Sequence, residues 1–205
     1  MLRKIRSILE SAKDRQSFFK IIASIYPTLD WRYKLIEKAY NDAKDAFRGK
    51  TRESGERYFE HLRAGALILV VYLRVRDYRL IVPELLHDIV EDTPSWTIDR
   101  VREEYGAEIA LYLEWITMPE HIFSSKEECL RVYHSRFSEA PREFFLIKLP
   151  ERLHNMLTLW PCSREKRRRK IEETERYYLP HAEKHLILLH ELEAAIEELE
   201  DAEKV

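Results

Sequence analysis

The chain has 205 residues, of which 45% are hydrophobic and 35% charged, and its net charge is −2. That length supports one domain with a sizeable core, and the composition excludes a disordered chain. The near-neutral balance gives no global electrostatic case for nucleic acid as a partner. The opening residues, MLRKIRSILESAKDRQ, are charged and lack the apolar core of a signal peptide. Apolar residues at mixed three- and four-residue spacings predict a helix over 2–25, closed by Pro27. Asp30 is the expected N-cap of a helix to about Phe47, and Gly49 ends it. A polar loop, KTRESGER (50–57), leads to a helix over about 58–76. Its apolar run AGALILVVYL (64–73) is too short to span a bilayer, so no membrane association is expected. The next helix covers about 82–92 and places Pro83 in its first turn, where proline is tolerated. Thr97 opens a short helix ending at Gly106, and further helices fit 107–117, 125–138, 142–159, 163–185 and 187–203. The basic run REKRRRK (164–170) is followed by IEETE and reads as a solvated helix face. The last, acidic amphipathic helix packs on the body or on a partner. Only four glycines occur, which argues for an all-α class. Cys129 and Cys162 lie far apart and read as reduced cysteines of a cytoplasmic chain.

The stretch LLHDIVEDT (85–93) sets one imidazole and three carboxylates into an apolar run. Such acids are costly to bury without compensation. On a continuous helix His87 is nearly in line with Glu91, and Asp88 with Asp92, all within an arc of roughly 140°. Imidazole and carboxylate on one face form a metal-binding combination, and two further acids can orient or deprotonate a water. The bland reading is a surface ion-pair face. It is weakened because acids near a helix C-terminus are disfavoured unless a cation reverses the penalty. Two other segments supply polar groups in apolar helices. YFEHLRAGALIL carries His61, and FLIKLPERLHNMLTLW carries Lys148, Glu151, Asn155 and Thr158 as one narrow stripe.

The order of these groups resembles the HD superfamily of metal-dependent phosphohydrolases, an all-α helical fold. More closely, RESGERYFEH (52–61), LLHDIVEDT (85–93) and LIKLPERLHNMLTL (146–159) resemble the hydrolase domain of RelA/SpoT homologues, which remove the 3′-pyrophosphate of ppGpp. The upstream LIEKAYNDAKDAFRGKTR (35–52) fits the same family. The resemblance implies an HD hydrolase domain over 25–185, with 1–24 a helical extension and 186–205 a C-terminal helix. It implies His61, His87, Asp88 and Glu151 as Mn²⁺ ligands. Glu91 and Asp92 would position and activate the attacking water. Arg52 and Ser54 would hold the guanine base, and Lys148 and Asn155 would line the nucleotide pocket. Because the chain ends where a synthetase domain would follow, a stand-alone small alarmone hydrolase with a guanosine nucleotide substrate is expected. Oligomeric state is left open, a homo-oligomer included.

The pattern departs from the family at several positions. Glu151 stands for aspartate, which moves the carboxylate outward by about 1.5 Å, one carbon–carbon bond. Pro150 replaces a small residue and is expected to kink its helix. Leu62 replaces a proline, Phe47 a histidine, and Glu53 a basic residue of the base-binding loop. Two rivals therefore stand beside the main reading. One is the same chemistry on an adenine alarmone or NADPH. The other is a non-catalytic nucleotide-binding regulator with a decayed site. Arg152 reads as a structural ion-pairing residue and His154 as a satisfied core histidine. His121, His134, His181, His185 and His190 read as surface or packing residues, and Phe144–Phe145 as core.

Overall fold

The computed structural model describes residues 1–118 and 125–201, and His121 lies outside them. Helix makes up 74% of the structure, and the described residues contain no strand, which gives the all-α class. The helix predicted over 2–25 is two, α1 (Leu2–Ser11) and α2 (Arg15–Ala23). They separate because the Asp14 carboxylate accepts from the Ser17 N–H at 2.8 Å and starts a new helix. Asp30 caps α3 (Trp31–Ala46) as expected, accepting from the Arg32 N–H at 2.8 Å. The predicted helix over 58–76 is shorter: α4 (Tyr58–Leu67) widens into a π turn over Ile68–Tyr72.

The helix expected over 82–92 differs most. α5 (Tyr78–Leu86) starts four residues earlier because Asp77 caps it, accepting from the Arg79 N–H at 2.9 Å. Pro83 is therefore inside the helix rather than in its first turn. The helix then breaks at His87–Asp88 and resumes as α6 (Ile89–Asp92). Four elements follow: α7 (Ile98–Tyr105), α8 (Ala107–Ile116), α9 (Lys126–Ser135) with a 3₁₀ turn over Arg136–Ser138, and α10 (Arg142–Leu157). α10 continues unbroken through Pro150. The predicted helix over 163–185 divides at Tyr178 into α11 (Arg164–Tyr177) and α12 (Leu179–His185), with Pro180 in the tolerant first turn of α12. Leu186 ends α12 in the left-handed conformation at φ 55°, and α13 (Leu189–Asp201) follows.

α10 is the central element, packed against α4, α5, α8, α11, α12 and α13. Its residues Phe145, Leu149 and Leu153 are wholly buried, so its polar stripe also faces the interior. α13 packs on the body through Leu192, Ala195, Ile196 and Leu199 and joins the same core as Leu2 and Ile5 of α1. The basic run on α11 is largely solvated, with Arg168 paired to Glu172 at 3.0 Å. No disulfide joins Cys129 and Cys162. Among the described residues no helix is long and apolar enough to cross a membrane.

One contact sets the spacing of α4 and α5. Gly65 of α4 lies against Glu84 of α5 so closely that a Cβ there would overlap the carboxylate. One turn before Gly65 stands His61, and three residues after Glu84 stands His87. Side chains one turn apart share a helix face, so this close approach brings the two imidazoles together.

Candidate metal and nucleotide site

His61 and His87 are almost completely buried, and their Nε2 atoms face each other at 3.2 Å. Asp88 Oδ2 lies 3.3 Å from His87 Nε2 and 3.8 Å from His61 Nε2. These three residues form the one metal-competent group found among the described residues. The helix breaks at this group. His87 ends α5 in helical conformation, but Asp88 turns to φ −98°, ψ −1°. The four acid and imidazole groups of the motif therefore do not share the face of one regular helix, as the continuous helix would require. Asp88 turns inward to the two imidazoles, while Glu91 and Asp92 stand at the surface beside it.

Hydrogen bonds fix which ring nitrogens carry protons. A carbonyl only accepts, so His87 Nδ1 donates to the Glu84 carbonyl at 2.7 Å. Its Nε2 is left to face His61. His61 Nδ1 meets His154 Nδ1 at 2.8 Å, and the same His154 nitrogen lies 3.3 Å from Arg52 Nη1. A guanidinium only donates, so His154 Nδ1 accepts and His61 Nδ1 donates to it. In the neutral rings, the Nε2 lone pairs of His61 and His87 and the oxygen of Asp88 then converge. With both rings neutral, these three donors could hold a divalent ion, which suits imidazole and carboxylate ligands.

The charges around the group agree. Burial acts to lower His87, but Asp88, Glu84 and Glu151 outweigh it and lift the imidazole to about 10. A proton there substitutes for the missing positive charge. Burial acts to raise Asp88, yet the charges of His87 and Lys148 bring it down to about 2. His61 is pushed well below its ordinary value by burial, then by the Arg52 cation. Burial, with Asp88 and Glu151 nearby, raises Glu91 to about 7 against the opposing charge of Lys148 and a 2.5 Å hydrogen bond from the Met118 N–H. Glu91 reaches the surface, but its carboxyl stands in a crowded, acid-rich place. Glu84 is wholly buried, neither of its oxygens meets a hydrogen-bond donor of the chain, and burial lifts it to about 8.

The α10 stripe folds over the group. Glu151 is held at 2.7 Å by Lys148 Nζ and at 3.0 Å by Asn155 Nδ2. It is near enough to feel the charges of His87 and Asp88, but it lies outside the three-residue metal group. Lys148 is buried, and the surrounding acids hold its ammonium well above the ordinary range even though burial opposes this. Arg52 reaches α10 from the 50–57 loop. It donates to Thr158 Oγ1 at 3.2 Å and to Asn155 Oδ1. That loop closes by a bridge between Thr51 and Arg57, with Gly55 in the left-handed region at φ +81°. Ser54 Oγ is buried without a partner and borders a cavity of about 210 Å³. Arg52, Glu53, Asn155 and Lys166 line the same cavity, and Lys166 pairs with Glu53 at 2.7 Å.

Sequence reasoning missed two contacts. Tyr58 stacks on Phe47 at 4.5 Å, and its hydroxyl meets both Asp88 Oδ2, at 2.9 Å, and Asp92. Its position three residues before His61 was a usable signal, because i and i+3 share a helix face. His154 is a core histidine as expected, but it also links Arg52 to His61. Arg152 is the expected ion-pairing residue, bound to Glu173 at 2.8 Å. His134 stacks on Tyr177, and His181 and His185 stack on Phe145, all in packing roles. His190 is exposed and pairs with Glu193.

A histidine–histidine–aspartate group set at a helix break in an all-helical core defines the class, a helical metal-site domain. The chain belongs to the HD domain family, whose model matches residues 39–187. It is 35% identical over 170 residues to the bifunctional (p)ppGpp synthase/hydrolase SpoT of Escherichia coli K12, covering 81% of this chain and 24% of that protein. The guanosine-3′,5′-bis(diphosphate) 3′-pyrophosphohydrolase of Aquifex aeolicus is 35% identical over 147 residues, 71% of this chain and 20% of its own length. The chain thus spans about a quarter or less of these curated relatives. A solved metazoan SpoT orthologue, described as hydrolysing ppGpp, shares the fold with a TM-score of 0.72 at 20% identity, over 80% of this chain and 94% of its own.

Proposed function

We propose that the chain hydrolyses the 3′-pyrophosphate of guanosine alarmones, converting ppGpp or pppGpp to GDP or GTP plus pyrophosphate, with Mn²⁺ at His61, His87 and Asp88 and with Glu151 leaving Lys148 and Asn155 to complete the ligand set. The observation that carries this reading is the convergence of three lone-pair donors beside Glu91 and Asp92. The ion supplies acidity to a water and neutralises phosphate charge. Glu91, poised at about 7, is suited to take the proton of the attacking water near neutral pH. Asp92, whose carboxylate meets the Tyr58 hydroxyl, orients that water from the other side. Attack at the 3′-linked phosphorus would break its bond to the 3′-oxygen; pyrophosphate would leave carrying the water oxygen, and the 3′-oxygen would take up the proton removed by Glu91 to become the hydroxyl of GDP or GTP. Lys148 holds Glu151 toward the site and adds positive charge near the phosphates. Arg52, Ser54 and Asn155 hold the base at the 210 Å³ cavity, where Ser54 Oγ has an open bonding capacity. A cytoplasmic location fits such a substrate.

Glu53 gives a reason to test other bases. Its carboxylate lines the same cavity and is tied to Lys166, at a position where the family resemblance implies a basic residue. The test is a panel of ppGpp, pppGpp, an adenine alarmone and NADPH, assayed with Mn²⁺ and with other divalent ions. Release of pyrophosphate from ppGpp is expected. Glu91→Gln and Asp92→Asn should keep metal binding and lose about 10²–10⁴-fold in turnover. A metal-loaded chain that cleaves none of the four would replace the enzyme reading with a nucleotide-binding regulator.

A further inference from the structure

We propose that His154 is a positioning residue through which the Arg52 loop sets the metal affinity of His61. The inference rests on the metal site proposed above. Nδ1 of His154 has one lone pair in the ring plane, and two donors reach it. Arg52 Nη1 lies at 3.3 Å and His61 Nδ1 at 2.8 Å. The two compete for one acceptor, so each weakens the other's bond. The His61 bond matters to the site because a ligating imidazole becomes a stronger donor when its other N–H is firmly accepted. The distal nitrogen of that ring, Nε2, is the atom that faces His87 and Asp88.

Arg52 has reasons to move. It is half-buried, belongs to a loop turned by Gly55, and borders the cavity that contains the unpartnered Ser54 hydroxyl. Its bonds to Thr158, Asn155 and His154 all go to α10 side chains. A base in the cavity offers carbonyl and ring-nitrogen acceptors that draw the guanidinium off α10. His154 Nδ1 then accepts from His61 alone, and a cation leaves the neighbourhood of the ion. Both effects tighten metal binding. By linkage, a bound ion tightens the base by the same factor. The ion is therefore held most firmly when the base is in place.

The test is titration of the metal-free full chain with Mn²⁺ alone, reading free Mn²⁺ by its electron paramagnetic resonance signal. His154→Phe should weaken Mn²⁺ binding about 10–100-fold, the usual cost of losing such an outer partner. His154→Asn, whose amide oxygen can accept in place of Nδ1, should recover most of that loss. Arg52→Met should tighten Mn²⁺ binding by at least about twofold, the smallest coupling contacting residues show. The same change in the His154→Phe background measures the through-space charge effect alone and should tighten binding less. Equal losses in His154→Phe and His154→Asn would mean that His154 acts by packing and would overturn the proposal. So would an Arg52→Met chain that binds Mn²⁺ no more tightly than wild type while keeping the wild-type circular dichroism spectrum and melting temperature. Failure of the wild-type chain to bind Mn²⁺ would instead overturn the metal site itself.

Discussion

Metal binding to this chain should release protons, and His87 sets the amount. In the metal-free protein, Asp88, Glu84 and Glu151 lift His87 to about 10 against its burial. At pH 7 the ring therefore carries a proton on Nε2, the atom an ion must take. Displacing it costs about 4 kcal/mol, three pKa units at about 1.36 kcal/mol each. Affinity should rise about tenfold per pH unit between pH 7 and 9, with at least one proton released per ion. Isothermal titration with Mn²⁺ in two buffers of different ionisation enthalpy counts those protons. Stability of the metal-free chain should run the opposite way. A histidine raised above its unfolded value stabilises fully below about pH 6.5 and loses that contribution as pH climbs through 10. The melting temperatures of metal-free and metal-loaded protein should therefore diverge with rising pH. An affinity that is flat from pH 7 to 9, with no buffer dependence, would refute a protonated His87 and the acid cluster invoked to hold it.

Two further outcomes are expected. Burial raises the wholly buried Glu84 to about 8, so stability should fall as pH rises from its unfolded value toward 8; Glu84→Gln should remove up to about 4 kcal/mol of that pH dependence, measured by urea unfolding at pH 5 and 8.5. Glu151→Asp retracts the carboxylate by about 1.5 Å from the site and from Lys148 and Asn155, so it should weaken Mn²⁺ binding; if Pro150 compensates for the longer side chain, adding Pro150→Ala should restore it with a coupling of about 0.5–3 kcal/mol, and strictly additive titrations would show two independent changes.

The helices were legible because burial imposes their 3.6-residue period on the sequence, and Asp30 and Thr97 announced their own starts. The breaks were harder. Asp14 interrupts one apolar pattern and Asp77 starts another early, and in both cases a local cap outweighs the periodicity. The break at His87–Asp88 has no signal in an otherwise unbroken apolar run, since it depends on what Asp88 gains from His61 and Tyr58 on another helix. In the same way, the family resemblance named His61, His87, Asp88 and Glu151 as one ligand set, of which the structure groups the first three, and it gave no sign of His154, whose contact with His61 spans 93 positions. The inward direction of the Lys148–Glu151–Asn155 stripe followed from the leucines and phenylalanines around it.

The helix break and the Gly65–Glu84 contact together shape the candidate metal site in a core otherwise built for burial. The turn at Asp88 redirects the chain that carries Glu91 and Asp92, and a larger residue at 65 would part α4 from α5. Both features instead press like-acting groups together, two imidazole lone pairs and a carboxylate, with Glu84, Glu91 and Glu151 near them. Without an ion, the raised affinity of His87, Glu84 and Lys148 for protons offsets this crowding. Each is a makeshift positive charge or a suppressed negative one. A divalent cation held by His61, His87 and Asp88 would supply that positive charge at one point. In the proposed reaction a bound ion would also favour ionised Glu91, so that loading the site and arming the base would be one electrostatic event.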